Sequence, residues 1–512
     1  LILFVEPISK NTGMYVPAYP LPLMEIASFA KAKTPDTDIQ VISFAVDYGL
    51  PLTRQGKDRV YQSFLDDLRE SRPKGVGISC TAIAQAEEAI YLSELIKENQ
   101  PETFVFLGGY FPTLYYEDVL LKTAAVDAIV VGEGEVPALR IIEHLENNAD
   151  PRDGDIPNMV WSENGSIRGS RKKERFDLGK KEMLDLGLLR HPQAYEILPY
   201  SFSRGCPYRC TFCMEGYIRS ERKEVPPAII RQDLTQLVLK GEAHTLLVSD
   251  ALFRSFDVLL SLKGLDLKVN FETRGDVLTP DRVAQIADLC GIIALGFESA
   301  SYSTLKRMNK VRDRAHYEKY LSNTLAVFKE ASKHEIPMMI FMIGGFPGDT
   351  EEDLKESLHF ARELSKHGGE GGHVFKMGEC QVYPKTRLQD LADSLPDVVY
   401  DKDGVFGLNV VRKPSANLDF ETVTKYMREI FGLSNQTTKL QNNLLHLMPF
   451  FRLPVEAFAD EMIPESCFRT SERSVLDVRK ESLSSFRKAV PKLMNKYQPL
   501  RGNERSTRIL PF

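Results

Sequence analysis

The chain has 512 residues, 43% of them apolar and 27% charged, with 65 basic against 71 acidic side chains and a net charge of -6. That length exceeds one ordinary core and suggests about three domains. The composition is that of a globular protein, and the slight acidic excess supplies no overall field for drawing the chain onto nucleic acid. Basic runs such as Arg171-Lys172-Lys173 are flanked by acids and read as solvated surface. The opening Leu1-Ile2-Leu3-Phe4-Val5 meets Glu6 and Pro7 after five apolar residues. It is too short for a signal peptide or a membrane span, and reads as a buried first strand. With few cysteines and no secretion signal, the expected compartment is the reducing cytoplasm, where disulfides are rare.

Residues 1–150 alternate short apolar runs (LILFVE, IQVISFAV, GVGISC, TFVFLGG, DAIVVGEG) with helical candidates such as 84–98 and 138–147. Apolar strands alternating with helices predict a doubly wound, Rossmann-like parallel α/β domain. The Pro/Gly/Asp-rich 151–158 opens a linker that runs to 195, with a hairpin-like piece around Asn164-Gly165. A second series occupies 196–395, with strands ILPYSFSRG, TLLVSDALF, LKVNFETRG, IIALGFES, IPMMIFMIGG and HVFKMGECQV. Helices near 226–240, 279–289, 316–334 and 350–366 separate them. Six βα units in a row predict a partial (β/α)6 barrel of the TIM type, with its chemistry where strands end and loops begin. Residues 396–512 read as a mostly helical C-terminal region.

Three of the seven cysteines, Cys206, Cys210 and Cys213, fall within SRGCPYRCTFC, directly after the first strand of the second series. A disulfide framework, a zinc knuckle, an iron–sulfur cluster and chance are the candidate explanations. Zinc normally takes four ligands as two short-spaced pairs, and the chain has no second pair. Cys80, Cys290, Cys380 and Cys467 are scattered singly in or beside apolar segments and read as buried small hydrophobes. Three thiolates on one tight loop suit a [4Fe–4S] cube with one iron left open.

The C-x3-C-x2-C spacing after a first barrel strand resembles the signature of the radical S-adenosylmethionine (SAM) superfamily. The resemblance implies that Cys206, Cys210 and Cys213 hold a [4Fe–4S] cluster whose open iron chelates SAM. It places Phe212 beside the adenine, Glu298 of GFESAS at the ribose and Arg274 at the SAM carboxylate. An ordinary strand-end acid for Glu298 and a structural salt bridge for Arg274 are the plain alternatives. IGGFPGDTEEDL, from Ile343 to Leu354, resembles the family's Gly-Pro turn. Ser249-Asp250-Ala251 departs from the Gly-Gly-Glu that many relatives carry, so the contact to the SAM amino group is not implied there.

In the first domain, Ser79-Cys80-Thr81 ends one strand and Gly108-Gly109 the next, with 26 residues (82–107) between. Elements and spacing resemble the Ser-x-Leu and Gly-Gly of cobalamin-binding domains, with Thr81 in place of leucine. Val130 to Glu135, including Glu133 and Gly134, resembles the same family. A tight turn at Gly-Gly and an incidental hydroxyl at Ser79 are the alternatives. No histidine precedes His144, so the resemblance implies cobalamin without a histidine on cobalt. Tyr15 to Leu23, a proline-stiffened loop, could cover the corrin. Together the two signatures resemble cobalamin-dependent radical SAM methyltransferases over roughly 1–390. The implied reaction uses SAM twice, as methyl donor and as radical source, to methylate an unactivated carbon of a small molecule. An external electron donor such as flavodoxin or ferredoxin is implied as well. Cobalamin-assisted cyclisation, ring contraction or rearrangement, a degenerate cobalamin domain, and a metal-stabilised binding protein are the competing readings.

Overall fold

Two parallel sheets organise the computed structural model of the chain, which describes residues 1–8, 18–48, 54–170, 174–195, 197–219, 221–240, 245–407, 409–435, 437 and 440. Arg171-Lys172-Lys173, Cys467, most of the C-terminal region and the start of the Tyr15–Leu23 loop lie outside those residues. The first sheet contains β1 (Ile2–Glu6), β2 (Ile39–Ser43), β3 (Gly75–Ser79), β4 (Phe104–Gly108), β5 (Ala128–Val130), β6 (Met159–Glu163) and β7 (Ser166–Gly169). Its order is β2-β1-β3-β4-β5-β6-β7. Strands β1 to β5 are parallel and β6 and β7 antiparallel.

The short hydrophobic runs form strands because both faces are covered. Ile2, Phe4, Val41, Phe104 and Phe106 point to one core, and Leu3, Val5, Ile42, Val105 and Leu107 to another. The strand order reverses between β1 and β3, which opens a crevice at their carboxyl ends. The hairpin β6–β7 belongs to this sheet, so the sheet reaches past residue 150 into the expected linker. Pairing of Val160 with Ile129 covers the backbone edge that β5 would otherwise expose.

The second sheet is built from β8 (Ile197–Tyr200), β11 (Thr245–Val248), β12 (Lys268–Arg274), β13 (Cys290–Glu298), β14 (Met338–Gly344) and β15 (His373–Glu379). All are parallel and neighbours in chain order, the open six-stranded barrel expected from the βα series. Between β8 and β11 a two-stranded ladder joins β9 (Ser203–Arg204) to β10 (Lys223–Glu224).

Both open edges of the barrel are covered. Ala18, from the first domain, bridges to Ile197 on β8, and Tyr19 stacks on Tyr195 at 4.7 Å between ring centroids. At the far edge Asn435 exchanges two backbone hydrogen bonds with His373 on β15, at 2.9 and 3.0 Å. Helices start on local chemistry: Asp313 caps Arg314–Lys333, and Thr350 with Asp353 forms a capping box on Glu351–Ser365. The described part of the C-terminal region contributes one twelve-residue helix, Phe420–Phe431, which packs beside β14 and β15. No helix among the described residues is long and apolar enough to cross a membrane.

A buried ionic contact joins the two sheets. The Arg204 guanidinium, on β9, reaches Glu25 at 2.8 Å and Glu135 at 2.5 Å, both from helices of the first domain. Nearby, Lys181 pairs with Asp233 at 2.5 Å, and Tyr200 donates to the same carboxylate at 2.7 Å. Breaking a buried pair strands the remaining charges without solvent. Arg204→Met should therefore lower unfolding stability by on the order of 3–5 kcal/mol in urea titrations. A loss below about 1 kcal/mol, typical of exposed pairs, would show that solvent reaches this contact.

Candidate active site at the facing sheet ends

The cysteine loop leaves β9 and is held on every side by backbone hydrogen bonds. Cys206 N–H donates to the Arg219 carbonyl at 3.1 Å, Thr211 N–H to Met308 at 3.0 Å, and Leu388 N–H to Thr211 at 3.0 Å. Cys213 N–H closes a turn onto Cys210 at 3.2 Å. The loop entry is fixed by Asp250, which accepts from Phe202 N–H at 2.8 Å, Ser203 N–H at 3.1 Å and the Ser203 hydroxyl at 2.7 Å. Thus the residue that departs from the Gly-Gly-Glu pattern anchors the strand entering the loop.

Cys206, Cys210 and Cys213 are free and partly accessible, whereas Cys80, Cys290 and Cys380 are buried. Burial, and then the neighbouring thiols and Glu215, push the Cys213 thiol up to about 12, and burial raises Cys206 as well. Thiols so raised need a cation to become thiolates. Soft thiolates on one tight loop are the donor set of an iron–sulfur cluster, so the residues fit that group. No set of three or more His, Cys, Asp or Glu side chains among the described residues is gathered closely enough to hold a single metal ion.

The residues expected around SAM lie at the strand ends facing this loop. Phe212 is partly buried and packs against the main core. Glu298 ends β13 at a register shift, with φ +70°, a left-handed conformation uncommon for a non-glycine residue. Its carboxylate accepts from the buried Lys310 ammonium at 2.7 Å. Arg274 ends β12 and is also buried. Its Nε and Nη2 donate to Asp276 at 2.8 and 3.0 Å, Nη2 also to the Lys310 carbonyl at 2.9 Å, and Nη1 reaches Cys210 Sγ at 3.3 Å. Both edges of the guanidinium are thereby engaged within the protein, and neither is open for paired donation to a carboxylate.

Strand alternation places further groups that sequence reading missed. Phe271 packs outward against Phe253 and Phe256, so Glu272 on the opposite face of β12 points into the barrel lumen, where it is accessible. Across the lumen Lys376 of β15 lies over the Phe341 ring at 5.4 Å. Enclosure by the fold, reinforced by Glu298 and opposed by Lys310 and Lys376, pushes the Glu272 carboxyl up to about 7. The signal was a lone acid within an otherwise buried strand, VNFETR.

In the first domain, Ser79 is buried at the end of β3, beside the crevice. Thr81 donates its hydroxyl to Gln85 at 2.8 Å, two residues before the helix Ile83–Asn99 begins. A side chain at Gly108 would point into open space, with no atom within 4 Å of its Cβ. Gly109 adopts φ +109° and approaches Cys80 so closely that a Cβ would strike the Cys80 carbonyl. A bare strand end bordering open space suits a flat cofactor and its nucleotide tail, so these residues fit cobalamin. Glu133 is engaged otherwise: it pairs with Arg175 at 2.8 Å and accepts from Phe176 N–H at 2.5 Å. Gly134 abuts Ile26, whose Cδ1 would lie 2.6 Å from an added Cβ.

The Radical SAM superfamily model matches residues 200–361 and the B12 binding domain model residues 17–142. The chain belongs to the B12-binding radical SAM enzymes. The radical SAM methyltransferase TsrM from Kitasatospora setae, solved with tryptophan and a SAM analogue, shares the fold at a TM-score of 0.67 and 14% identity, covering 84% of this chain and 89% of that one. The anaerobic magnesium-protoporphyrin IX monomethyl ester cyclase of Rubrivivax gelatinosus is 25% identical over 69% of this chain and 64% of its own length. The hopanoid C-3 methylase of Methylococcus capsulatus is 28% identical over 49% of this chain and 50% of its own length. The chain thus spans less than two thirds of either curated relative. The two domains imply a [4Fe–4S] cluster, SAM and cobalamin as the cofactors of this B12-binding radical SAM enzyme.

Two outcomes follow from this geometry. Gly108→Leu should cut the cobalamin bound per chain, read from the visible spectrum, while the melting temperature changes little because no protein atom lies within 4 Å of the added Cβ. Undiminished cobalamin would place the cofactor elsewhere. Glu272 keeps its proton to about 7 in the fold but only to about 4.5 in the unfolded chain. Between those values the native state binds more protons, so stability falls as pH rises. Urea unfolding of Glu272→Gln should show less of that fall between pH 5 and 7.5 than the parent protein.

Proposed function

We propose that the enzyme methylates an unactivated carbon of a small molecule held in the barrel lumen. The supporting observation is the meeting of the two cofactor edges. The helix Tyr110–Lys122 begins directly after Gly108-Gly109, and it packs against the turn Glu215–Ile218, which begins two residues after Cys213. The Arg219 guanidinium lies over the Tyr110 ring at 4.8 Å, and the Tyr115 hydroxyl donates to the Pro384 carbonyl at 3.0 Å across the same boundary. When bound, SAM on the cluster supplies hydrogen abstraction and cobalamin supplies methyl transfer. One substrate carbon must be served by both, which a short, fixed separation between their sites permits.

The chain's own residues have distinct tasks in this reading. Cys206, Cys210 and Cys213 hold the cluster, and Phe212 and Glu298 border SAM. Gly108, Gly109 and Ser79 border cobalamin. Glu272 and Lys376 offer a substrate one acidic and one basic contact on lumen walls formed by Ala294, Met339, Phe341 and Val374. The reducing electron comes from an external donor of the flavodoxin or ferredoxin type.

The named cyclase relative favours one second reading, a cobalamin-assisted radical cyclisation in the same lumen. SAM carrying a label on its methyl group separates the two. Methylation delivers the label into product and yields both S-adenosylhomocysteine and 5′-deoxyadenosine, and Cys210→Ala abolishes product formation. Unlabelled product accompanied by 5′-deoxyadenosine alone would replace methylation with cyclisation or rearrangement.

A further inference from the structure

Arg274 links the cysteine loop, through Lys310, to the end of the fourth barrel strand. It ends β12 on the lumen face, and its guanidinium is held in a single pose by four polar contacts and a ring. Asp276 takes two N–H groups at 2.8 and 3.0 Å, the Lys310 carbonyl takes one at 2.9 Å, and Cys210 Sγ lies 3.3 Å from Nη1. The ring of Tyr208, inside the cysteine loop, lies 3.9 Å from the guanidinium carbon. Lys310 in turn holds Glu298 at 2.7 Å, so a continuous polar chain runs from Cys210 to the strand end expected at the SAM ribose. Such rigidity is unnecessary for a surface ion pair, and it leaves no open edge for a ligand carboxylate. What remains directed at the cofactor site is one permanently charged N–H group, aimed at a sulfur.

We propose that Arg274 is a positioning residue that sets the cluster's reduction potential through a charged N–H···S hydrogen bond to Cys210. The inference rests on the reading of Cys210 as a cluster ligand. Reduction of the cluster adds one electron and no proton, so it places one more negative charge on a group touching the guanidinium. A fixed positive charge and a hydrogen bond to a ligand sulfur favour the reduced form, and raise the potential. Burial strengthens the effect, because little water is present to screen it. Asp276 tempers it by placing a carboxylate on the far side of the same guanidinium.

The test is a redox titration of the anaerobically reconstituted full-length chain without SAM, followed by electron paramagnetic resonance of the reduced cluster. Iron content is measured on every sample. Arg274→Gln keeps an amide donor and removes the charge, and Arg274→Lys keeps the charge and removes the fork. With four irons retained, the Gln variant should be harder to reduce by about tenfold or more in the reduction equilibrium, which for one electron is about 59 mV per tenfold. The Lys variant should fall between it and the parent, and Asp276→Asn should move the potential the opposite way. An unchanged potential in the Gln variant at full iron content overturns the inference, as does weakened SAM binding without any shift. Should Gln lose its cluster, the Lys and Asn variants decide by the signs of their shifts. A Cys210→Ala variant that keeps the full cluster and the parent potential would instead refute the ligand assignment, a result separable from the first.

Discussion

Arg204 stands two residues before Cys206 and carries a charge into the interior, where Glu25 and Glu135 of the first domain meet it. Burial of that guanidinium is tolerable only with both carboxylates in place, so the contact determines where the first domain sits against the barrel. Arg175 with Glu133, and Lys181 with Asp233, extend the same ionic layer. These groups come from segments far apart in the chain, and their registration brings the carboxyl ends of the two sheets face to face. A reaction that draws on two cofactors needs that registration more than it needs any single side chain.

The elements between the sheets show how the fold protects the arrangement. The first domain lends Ala18 and Tyr19 to the open edge of β8, so the strand that leads into the cysteine loop is not left as a ragged edge. Asp250 then ties Phe202 and Ser203 to the end of β11, and backbone contacts from Met308, Arg219 and Leu388 hold the loop itself. The cysteines are thus presented by a frame of backbone and carboxylate hydrogen bonds. The raised values of the Cys206 and Cys213 thiols follow from the same enclosure: burial penalises a bare thiolate.

Electrostatics inside the barrel follow a related logic. Glu272, Glu298, Lys310, Arg274 and Lys376 carry charges within or at the rim of one lumen, and burial intensifies their mutual influence. Glu298 spends its charge on Lys310 and Arg274 spends most of its donors on Asp276 and Lys310, while Glu272 stays open to the lumen near neutrality. The lumen therefore carries both a carboxyl group that enclosure pushes up to about 7 and the Lys376 ammonium.

Much of this was legible in the linear chain, and the reason is local. Strand period, helix caps, the C-x3-C-x2-C loop and the spacing of Ser79 from Gly108-Gly109 are short-range patterns, dictated by backbone geometry and by the reach of one loop. Long-range pairing was not legible. Nothing adjacent to Arg274 announces that its guanidinium turns toward Cys210, 64 positions away, nor that Glu133 would be claimed by Arg175. Glu272 was hidden because one acid in an apolar run is indistinguishable from an ordinary surface residue until the barrel closes around it. The hairpin at 159–169 joined the first sheet because β5 had an edge to cover, a fact about neighbours in space. The sequence by itself determined the elements, the thiol loop and the cofactor classes they resemble. Tertiary structure alone decided which charges meet, because burial makes each ion choose a partner that chain order does not supply.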